Sequence, residues 1–468
     1  MMRRREFLGL LAAAGAAPAR RPNIVLVLAD DLGWADTTPY GADLHETPNL
    51  ERLARTSVTF TRAYAAAPVC TPTRASIHTG KYPARLRMTI WRESARRPPQ
   101  GRKLVPPLVE ENLPHEEVTL AEALRGAGYF NIHIGKWHLG GFEHYPETHG
   151  FDVNIGGTGW GAPQSYFFPY SGTRYFGGEY RYVPGLHGGQ PGEYLTDRLT
   201  SEAIRSIDWA GDRPFFLNLC YHTVHTPIEG KADLVERYRA KVRPGLRHRN
   251  PAYAAMVHTL DQNVGRLLDY LERSGKAANT LFLFTSDNGG FIGRFQGEAV
   301  TDNHPLRSGK GSLYEGGIRV PLLVRWPQGG RAGVRCSELV CSTDFYPTIL
   351  EIAGLRPDPK QAANMDGVSF LSLLSAPAGR LEREYLFFHY PHYYETTTPV
   401  SAVMTREYKL LRYYEDQRVE LYHLGNDPPE SVDLSDREPA VRERLLKRLE
   451  DWLKSVNAQL PAANPAKR

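Results

Sequence analysis

The stretch Ile24-Val25-Leu26-Val27-Leu28-Ala29, followed by Asp30-Asp31, decides the fold class of this 468-residue chain. A short unbroken apolar run is typical of a strand that is buried on both faces of a parallel sheet. Three further runs, at 129–134, 215–221 and 281–285, also stop at polar clusters. Helical patterns lie between the runs. The sequence therefore predicts an α/β fold with a large, mostly parallel central sheet flanked by helices.

The polar clusters predict a metal site, because ligands of open α/β sheets bind beyond the carboxyl ends of the strands. Asp30-Asp31 and Asp287-Asn288 offer three carboxylates and one amide oxygen. These hard donors suit Ca²⁺ or Mg²⁺ and suit copper or thiolate-bound zinc poorly. Each pair alone would also suit an ordinary turn. The two pairs together, each after a buried strand, favour the metal site.

The segment Pro68-Val69-Cys70-Thr71-Pro72-Thr73-Arg74-Ala75-Ser76 predicts a short helix that begins just after Cys70. Thr71 suits the N-cap, the following proline suits the first helical position, and Gly80 suits the end. A helix N-terminus favours an anion, and Arg74 could fold back toward the same point. A buried free cysteine or a plain cysteine nucleophile would also fit these residues.

Cys-x-Pro-x-Arg followed by Ala-Ser-x-x-Thr-Gly resembles the signature of the type I, arylsulfatase-like sulfatases of the alkaline phosphatase superfamily. Other segments resemble the family's motifs in the expected order, over about residues 22–435: Asp30-Asp31-Leu32-Gly33-Trp34, Gly135-Lys136-Trp137-His138-Leu139-Gly140, His225-Thr226-Pro227, Ser286-Asp287-Asn288-Gly289 and Leu306-Arg307-Ser308-Gly309-Lys310. The resemblance implies a sulfuric ester hydrolase whose motif cysteine is oxidised to formylglycine before folding.

The resemblance also implies a role for each residue of the site. One hydroxyl of the hydrated aldehyde at position 70 binds the metal and attacks sulfur, and the second then loses its proton as sulfate leaves. The implied metal ligands are Asp30, Asp31, Asp287, Asn288 and the side chain at Cys70. The implied catalytic residues are Cys70, Arg74, Lys136, His138, His225 and Lys310.

Within this set, Arg74 orients the hydrate and the carboxylates, and His138 assists deprotonation of the second hydroxyl. Lys136, His225 and Lys310 bind the substrate sulfate. Lys310 also stabilises the leaving oxygen, and His225 protonates the leaving alcohol. The implied cofactor is a divalent metal, with Ca²⁺ favoured over Mg²⁺.

The substrate implied is a sulfated small molecule or glycan. Residues 87–116 and 141–194 are rich in aromatic and arginine side chains that suit sugar rings and sulfate, although an ordinary loop-rich surface explains them equally well. A phosphonate or phosphate ester hydrolase of the same superfamily and a non-catalytic sulfated-glycan binding protein are the alternative functions.

The C-terminal part of the sequence shows a different pattern of predicted elements. Short strand patterns at 385–390, 401–406, 408–414 and 420–424 precede a helical apolar pattern at 441–456. They predict a smaller antiparallel sheet packed with a helix, which resembles the family's C-terminal subdomain. We expect a catalytic domain over residues 20–376 and a C-terminal α+β subdomain over residues 377–468.

Several neighbouring residues favour structural roles. Glu315 and Arg319 suit an ion pair, and His222 suits a supporting position beside the site. Cys336 and Cys341 could pair in an oxidising compartment, and the four cysteines are too few for a disulfide scaffold.

Residues 1–19 predict an export signal of the twin-arginine type. Arg3-Arg4-Arg5 precedes a weakly apolar stretch and a small-residue site at Ala17-Pro18-Ala19. We expect a periplasmic or secreted protein, with the twin-arginine translocation machinery and a formylglycine-generating enzyme as partners. The net charge of +5 includes those three arginines, so no nucleic-acid partner is expected. The chain has no apolar run of 18 residues, so no stable membrane anchor is expected.

Overall fold

The computed structural model describes residues 20–97 and 100–467, so the expected export signal at 1–19 lies outside the described residues. The strands are β1 (Asn23–Ala29), β2 (Val58–Tyr64), β3 (Leu104–Val105), β4 (Phe130–Gly135), β5 (Val153–Ile155), β6 (Phe215–Cys220), β7 (Thr280–Ser286), β8 (Arg294–Phe295), β9 (Glu298–Ala299), β10 (Arg319–Arg325), β11 (Val334–Cys336), β12 (Val340–Cys341), β13 (Leu386–Tyr390), β14 (Val400–Met404), β15 (Tyr408–Tyr413), β16 (Val419–His423) and β17 (Ala462–Ala463). The α-helices are α1 (Pro48–Arg55), α2 (Cys70–Thr79), α3 (Pro83–Leu86), α4 (Arg92–Ala95), α5 (Leu120–Arg125), α6 (Leu195–Ala210), α7 (Ala232–Arg239), α8 (Pro251–Arg273), α9 (Glu315–Ile318), α10 (Phe345–Ile352), α11 (Pro359–Ala362), α12 (Leu371–Ser375) and α13 (Pro439–Ser455).

The central sheet has the strand order β11-β2-β10-β7-β1-β6-β4-β5, and β12 also pairs with β2. Strands β7, β1, β6, β4 and β5 run parallel, whereas β10 lies antiparallel to both β7 and β2. The four apolar runs of the sequence form β1, β4, β6 and β7, which are consecutive neighbours. The predicted mostly parallel sheet is therefore confirmed.

Strand β1 shows why these runs are continuously apolar. Ile24, Leu26 and Leu28 pack into the cluster that contains side chains of α2, α5 and α10. Val25 and Val27 point to the opposite face, into the cluster formed with α1, α6 and α8. Because helices cover both faces, neither set of alternating side chains can be polar. In β1 the charged residues Asp30 and Asp31 therefore come just after the strand, at the edge of the sheet.

The C-terminal sheet has the order β13-β14-β15-β16, and all three of its strand pairs are antiparallel. Helix α13 covers it with Leu445, Leu449 and Trp452. The predicted small antiparallel sheet with a packed helix is confirmed. Its apolar cluster also includes Tyr64 of β2 and Val69, next to the cysteine motif, so the two sheets share packed side chains. The boundary between residues 376 and 377 stays a prediction.

The register on β2 excludes a bond between Cys336 and Cys341. Cys336 pairs with Phe60 and Cys341 with Tyr64, both in parallel orientation on the same strand. Four residues of a parallel strand span about 13 Å, whereas disulfide-bonded Cα atoms lie within about 7 Å. Both cysteines are free and buried. Among the residues that the structure describes, no helix has the length and apolarity needed to cross a membrane.

A buried lysine joins the C-terminal sheet to the central part of the chain. Lys409 of β15 lies 3.0 Å from Glu315 and 2.6 Å from Glu430, and all three side chains are buried. Arg319 also pairs with Glu315 at 3.3 Å, which is the ion pair predicted from the sequence. Removing one partner from a buried ion pair costs far more than an exposed pair contributes.

We expect Lys409→Met to lower the free energy of unfolding by about 3–5 kcal/mol, because buried Glu430 loses the cation at 2.6 Å and Glu315 is left with Arg319. Urea unfolding followed by circular dichroism measures this. The matched control is Lys447→Met, which removes an exposed pair with Asp451 on α13 and should cost about 1 kcal/mol or less. Equal stability of the two variants would contradict the proposed anchoring role of Lys409.

Candidate active site

The carboxyl ends of four neighbouring strands lie level at one edge of the central sheet. The register runs as far as Leu28 opposite Cys220 between β1 and β6, and as far as Ala29 opposite Ser286 between β1 and β7. Six polar residues of the sequence motifs follow directly on these strands, and His225 lies five residues beyond β6. They are Asp30, Asp31, Lys136, His138, His225, Asp287 and Asn288.

Each carboxylate at this edge is paired with a cation from a different part of the chain. The pairs are Lys136 Nζ to Asp30 Oδ2 at 2.7 Å, Lys310 Nζ to Asp31 Oδ2 at 2.8 Å, and Arg74 Nη2 to Asp287 Oδ2 at 2.8 Å. None of the six side chains is more than 6% exposed. The opposite charges therefore balance in a buried region. Removing one partner of such a buried ion pair is strongly destabilising.

Helix α2 begins at Cys70 itself, with Val69 in the N-cap position, so the start predicted with Thr71 as the N-cap was wrong by two residues. The reason is a tertiary contact: the Thr71 hydroxyl donates to the His138 carbonyl at 2.8 Å instead of capping the helix. Gly80 ends the helix in the left-handed region, at φ 70°, as predicted. Cys70 therefore sits in the first turn, where free N–H groups face the sheet edge.

Arg74 connects three elements from its position one turn into α2. Its Nε and Nη2 donate to Asp287 Oδ2 at 2.9 and 2.8 Å, and its Nη1 donates to the Lys136 carbonyl at 2.8 Å. The guanidinium thus fixes α2 against the ends of β4 and β7. A forked donor of this kind cannot be replaced by a lysine without losing bonds.

Two oxygen atoms at the edge fit a metal ion. Asp30 Oδ1 and Asn288 Oδ1 are buried and have no hydrogen-bond partner within the described ranges. The Asn288 amide nitrogen donates a hydrogen bond to Asp31 Oδ1 at 2.8 Å. The amide oxygen of Asn288 is therefore the atom available to bind a metal. Ligand atoms of Asp30, Asp31 and His225 also lie within 4.8 Å of one another. The oxygen-rich set suits a hard divalent cation.

The electrostatics of the two aspartates differ. Burial raises the pKa of the Asp30 carboxyl well above its usual range, although Lys136 opposes this effect. Burial acts in the same direction on Asp31, but Lys310 and His225 outweigh it and hold the pKa of that carboxyl well below its usual range. A cation between them would favour the ionised form of both.

Cys70 contacts His138, which in turn contacts Glu93, a residue that the sequence analysis did not predict for the site. Its Sγ lies 3.4 Å from His138 Nδ1, and His138 Nε2 lies 3.1 Å from Glu93 Oε2. Burial raises the pKa of the Cys70 thiol, but Lys136 and His138 outweigh it and bring the value to about 6. Burial lowers the pKa of His138, whereas Cys70 and Glu93 raise it, and the net shift is upward.

His225 faces the same space from the segment after β6. Its Nε2 lies 3.6 Å from Asp31 Oδ2, and its Nδ1 donates to the Thr226 carbonyl at 2.8 Å. Burial and then Lys310 lower the pKa of this imidazole to about 3, so it is neutral at pH 7. His222 is buried behind it, and burial lowers its pKa well below the usual range. This agrees with the supporting position predicted for His222.

A cavity of about 380 Å³ opens onto this cluster. Its floor contains Asp31, Cys70, His138, His225 and Lys310. Most of its walls come from the two loop regions singled out in the sequence: Trp91, Glu93, Ser94, Arg97, Gly161, Ala162, Phe176 and Arg181. Phe291, after β7, and Tyr394, in the C-terminal part, also line it. A larger cavity of about 800 Å³ lies between residues 38–51 and 240–246 and contains none of the predicted site residues.

The structure brings all ten sequence-predicted site residues together. Reasoning from the sequence missed Glu93 and Tyr394. Glu93 is a single acid among arginines in the one-turn helix α4, and only its contacts with His138 and Arg181 distinguish it. Tyr394 follows β13, and no local pattern shows that this residue reaches the far end of the other sheet.

A buried thiol beside paired carboxylates and cations, next to a cavity, suits a hydrolase that acts on an anionic ester. The family model for sulfatases matches residues 22–355, and the model for the C-terminal part of N-sulphoglucosamine sulphohydrolase matches residues 308–459. The chain belongs to the sulfatase family, within the alkaline phosphatase superfamily, and is a sulfate ester hydrolase.

Relatives agree with this assignment. A sulfatase of Formosa agariphila is 33% identical and the match covers 94% of this chain and 90% of that protein. N-acetylgalactosamine-6-sulfatase of Rattus norvegicus is 34% identical over 78% of this chain and 67% of its own length. The crystal structure of Ps i-CgsB in complex with k-i-k-neocarrahexaose has a TM-score of 0.77 at 30% identity, and covers 92% of this chain and 93% of that one. Phosphonate monoester hydrolase of Agrobacterium radiobacter shares the fold, with a TM-score of 0.67 at 19% identity, over 95% of this chain and 100% of that one.

We expect Glu93→Gln to lower kcat/KM for a sulfate ester by about 10- to 100-fold, the usual cost of losing an outer partner that orients a functional side chain. The loss should appear mainly in kcat, because Glu93 contacts His138. Glu179→Gln is the matched control, since Glu179 also pairs with Arg181, at 2.8 Å, but lies on a different loop. Similar kinetics for the two variants would contradict an orienting role for Glu93.

Proposed function

We propose that this sulfatase hydrolyses a sulfate monoester of a carbohydrate, through a formylglycine made from Cys70 and with the help of a divalent metal. The observation that carries the proposal is the floor of the 380 Å³ cavity. There Cys70 lies beside His138, and Lys310 pairs with Asp31. The pair of Lys136 with Asp30 lies next to Asp31, just beyond the end of β1.

The proposed metal ligands are Asp30, Asp31, Asp287, Asn288 and the modified side chain at position 70. Support comes from the two buried oxygens without partners and from the charge count of the site. Three carboxylates are already balanced by three basic side chains, so a divalent ion would make the site positive and suited to an anionic ester. The bound ion supplies a Lewis acid that stabilises negative charge. Oxygen donors favour Ca²⁺, with Mg²⁺ as the second choice.

The modified residue supplies the hydroxyl that attacks sulfur. Arg74 holds this region in place through its bonds to Asp287 and to the Lys136 carbonyl. Lys136, Lys310 and His225 bind the sulfate oxygens, and Lys310 also stabilises the oxygen of the departing alcohol. Fixed cations aimed at the point where charge develops account for a large share of such rate enhancements.

Two histidines move protons in this proposal. After the alcohol has left, position 70 carries sulfate on one oxygen and a second hydroxyl on the same carbon. His138 accepts the proton of that hydroxyl as the C–O bond to sulfate breaks, sulfate leaves and the aldehyde re-forms, and Glu93 at 3.1 Å stabilises the resulting imidazolium. His225 protonates the departing alcohol. Its imidazole is neutral beside Lys310, so it needs the negative charge of a bound sulfate to raise its pKa and take up that proton. A positioned acid or base contributes about 10²- to 10⁴-fold.

A sulfated sugar fits the walls of the cavity. Aromatic rings of Trp91, Phe176, Phe291 and Tyr394 suit the faces of a pyranose, and Arg97 suits a further anionic group. The names of two relatives point the same way, since one is an N-acetylgalactosamine-6-sulfatase and the other was crystallised with a neocarrahexaose.

Two alternatives remain to be distinguished. The first is a phosphonate or phosphate ester hydrolase, since a phosphonate monoester hydrolase shares the fold. A phosphonate monoester carries one negative charge, like a sulfate monoester, whereas a phosphate monoester carries up to two. A sulfated-glycan binding protein would use the cavity without chemistry. Such a binder has no need for a nucleophile, a paired histidine and three buried cations in one place, which favours the enzyme.

The proposal includes the processing of the chain. Residues 1–19 form a twin-arginine-type signal, residues 20–376 the catalytic domain and residues 377–468 the C-terminal subdomain. A formylglycine-generating enzyme modifies Cys70, and the twin-arginine machinery exports the folded protein to the periplasm or beyond. Modification of Cys70 must precede folding and export, because Cys70 is only 3% exposed in the folded chain and a modifying enzyme cannot reach it there.

Hydrolysis of matched aryl esters tests the proposed reaction. With protein produced alongside a formylglycine-generating enzyme, kcat/KM should be highest for the aryl sulfate and lower for the aryl phosphate and aryl phosphonate. Cys70→Ala should remove sulfate hydrolysis while the far-ultraviolet circular dichroism stays the same. A higher kcat/KM for phosphonate would favour the first alternative, and inactivity on every ester with tight binding of a sulfated glycan would favour the second.

Lys310→Ala should lower kcat/KM on the aryl sulfate by about 10²- to 10³-fold, which is typical of losing one stabilising donor at the developing charge. The midpoint of thermal unfolding should change little in the presence of Ca²⁺, since a bound ion would balance the charge of Asp31 after Lys310 is removed. Lys454→Ala, on the exposed face of α13, is the control and should keep full activity. A folded Lys310→Ala protein with normal turnover would exclude Lys310 from the reaction.

A further inference from the structure

Three histidines form a cluster behind the segment that carries Lys136 and His138. His115 lies in the loop before α5, and His144 and His149 lie in two short 3₁₀ turns after β4. One ring nitrogen of each lies within 4.8 Å of the corresponding nitrogen of the other two. The ring of His115 stacks on both neighbours, with centroid distances of 4.3 and 4.8 Å. The cluster runs from exposed His115 through half-buried His144 to buried His149.

The hydrogen bonds of His144 fix which of its nitrogens is available. Nδ1 lies 2.9 Å from the Leu113 carbonyl. A carbonyl can only accept, so Nδ1 carries the proton and Nε2 keeps its lone pair. Metal-binding histidines in proteins typically donate one ring N–H to a carbonyl or carboxylate in this way.

His149 provides the second observation. Its side chain is 0% exposed, and neither ring nitrogen has a hydrogen-bond partner among residues 20–97 and 100–467. Burial, with His115 and His144 nearby, lowers the pKa of this imidazole to about 3, so it is neutral. A buried polar group without a partner is costly, and few native side chains are left in that state. A bond from one of these nitrogens to a metal ion would satisfy it.

We propose that His115, His144 and His149 form a second metal site, which binds a transition metal such as Zn²⁺ with solvent as the fourth ligand. Zn–N bonds of about 2.0–2.1 Å place tetrahedral nitrogens about 3.4 Å apart, so nitrogens up to 4.8 Å apart must approach by as much as about 1.4 Å. His115 is exposed and His144 half-buried, so both rings can shift toward buried His149. Imidazole nitrogens select Zn²⁺ over Ca²⁺ and Mg²⁺, so this site and the carboxylate site do not compete for the same ion.

The position of the cluster gives the ion a structural role. Trp137, between Lys136 and His138, donates its Nε1–H to the His144 carbonyl at 2.7 Å and packs on the ring of His149 at 5.8 Å. The Leu113 N–H donates to the Leu139 carbonyl at 2.7 Å. An ion held by the three rings would therefore brace the loop that positions Lys136 and His138 from the side opposite the cavity.

Cobalt binding to the full protein in saturating Ca²⁺ tests the proposal, because Co²⁺ bound by nitrogen ligands absorbs visible light. Wild type should bind one more Co²⁺ than the His115→Ala variant, and Zn²⁺ should displace that ion. Zn²⁺ should raise the midpoint of thermal unfolding of the wild type but not of the variant. His115 is exposed, so its replacement should not disturb folding. The affinity for Zn²⁺ should fall by more than the roughly 10- to 100-fold cost of losing an outer partner.

His187→Ala is the matched control, since His187 is also exposed but lies outside the cluster and should leave Co²⁺ uptake as in wild type. Equal Co²⁺ uptake and equal Zn²⁺ effects in wild type and His115→Ala would overturn the proposal, as would the absence of any additional ion in wild type. His144→Ala gives an independent check on a half-buried ligand and should behave like His115→Ala. A His144→Ala protein that keeps the visible band would also contradict the site.

Discussion

The three buried ion pairs at the carboxyl edge of the central sheet set the arrangement of everything around them. A carboxylate that loses its partner at such a depth is strongly destabilising. Asp30, Asp31 and Asp287 therefore each require a cation, and the cations come from α2, from the end of β4 and from the loop before α9. Meeting this requirement brings segments almost 280 residues apart into one site.

The same balance explains why the site suits an anionic ester. Paired side chains contribute almost no net charge, so a divalent ion would dominate the local field, and the lysines that hold the carboxylates lie where sulfate oxygens would bind. The fold assigns different roles to the strand ends and to the loops. Strand ends hold the proposed catalytic groups, whereas loops and the C-terminal part supply most of the cavity walls, including Trp91 and Tyr394, to which we assign substrate selection.

The sequence predicted the part of this design that follows from simple rules. Both-face burial makes β1 and β7 continuous apolar runs, and parallel neighbours must end at one edge, so the strand-end residues could be grouped before any coordinates were known. Details fixed by long-range contacts could not be predicted. The start of α2 depends on the bond between Thr71 and the His138 carbonyl. The approach of Glu93 to His138 depends on how the short helix α4 is placed against the segment after β4.

The central claim is that Cys70 is converted to formylglycine and does the chemistry in that form. Mass spectrometry of the tryptic peptide spanning residues 63–74, from protein purified in its active form, tests this most directly. The account predicts a peptide lighter than the cysteine form and trapped by an aldehyde-reactive hydrazine, in a proportion that follows the specific activity across preparations. Unmodified cysteine throughout a fully active preparation would contradict it.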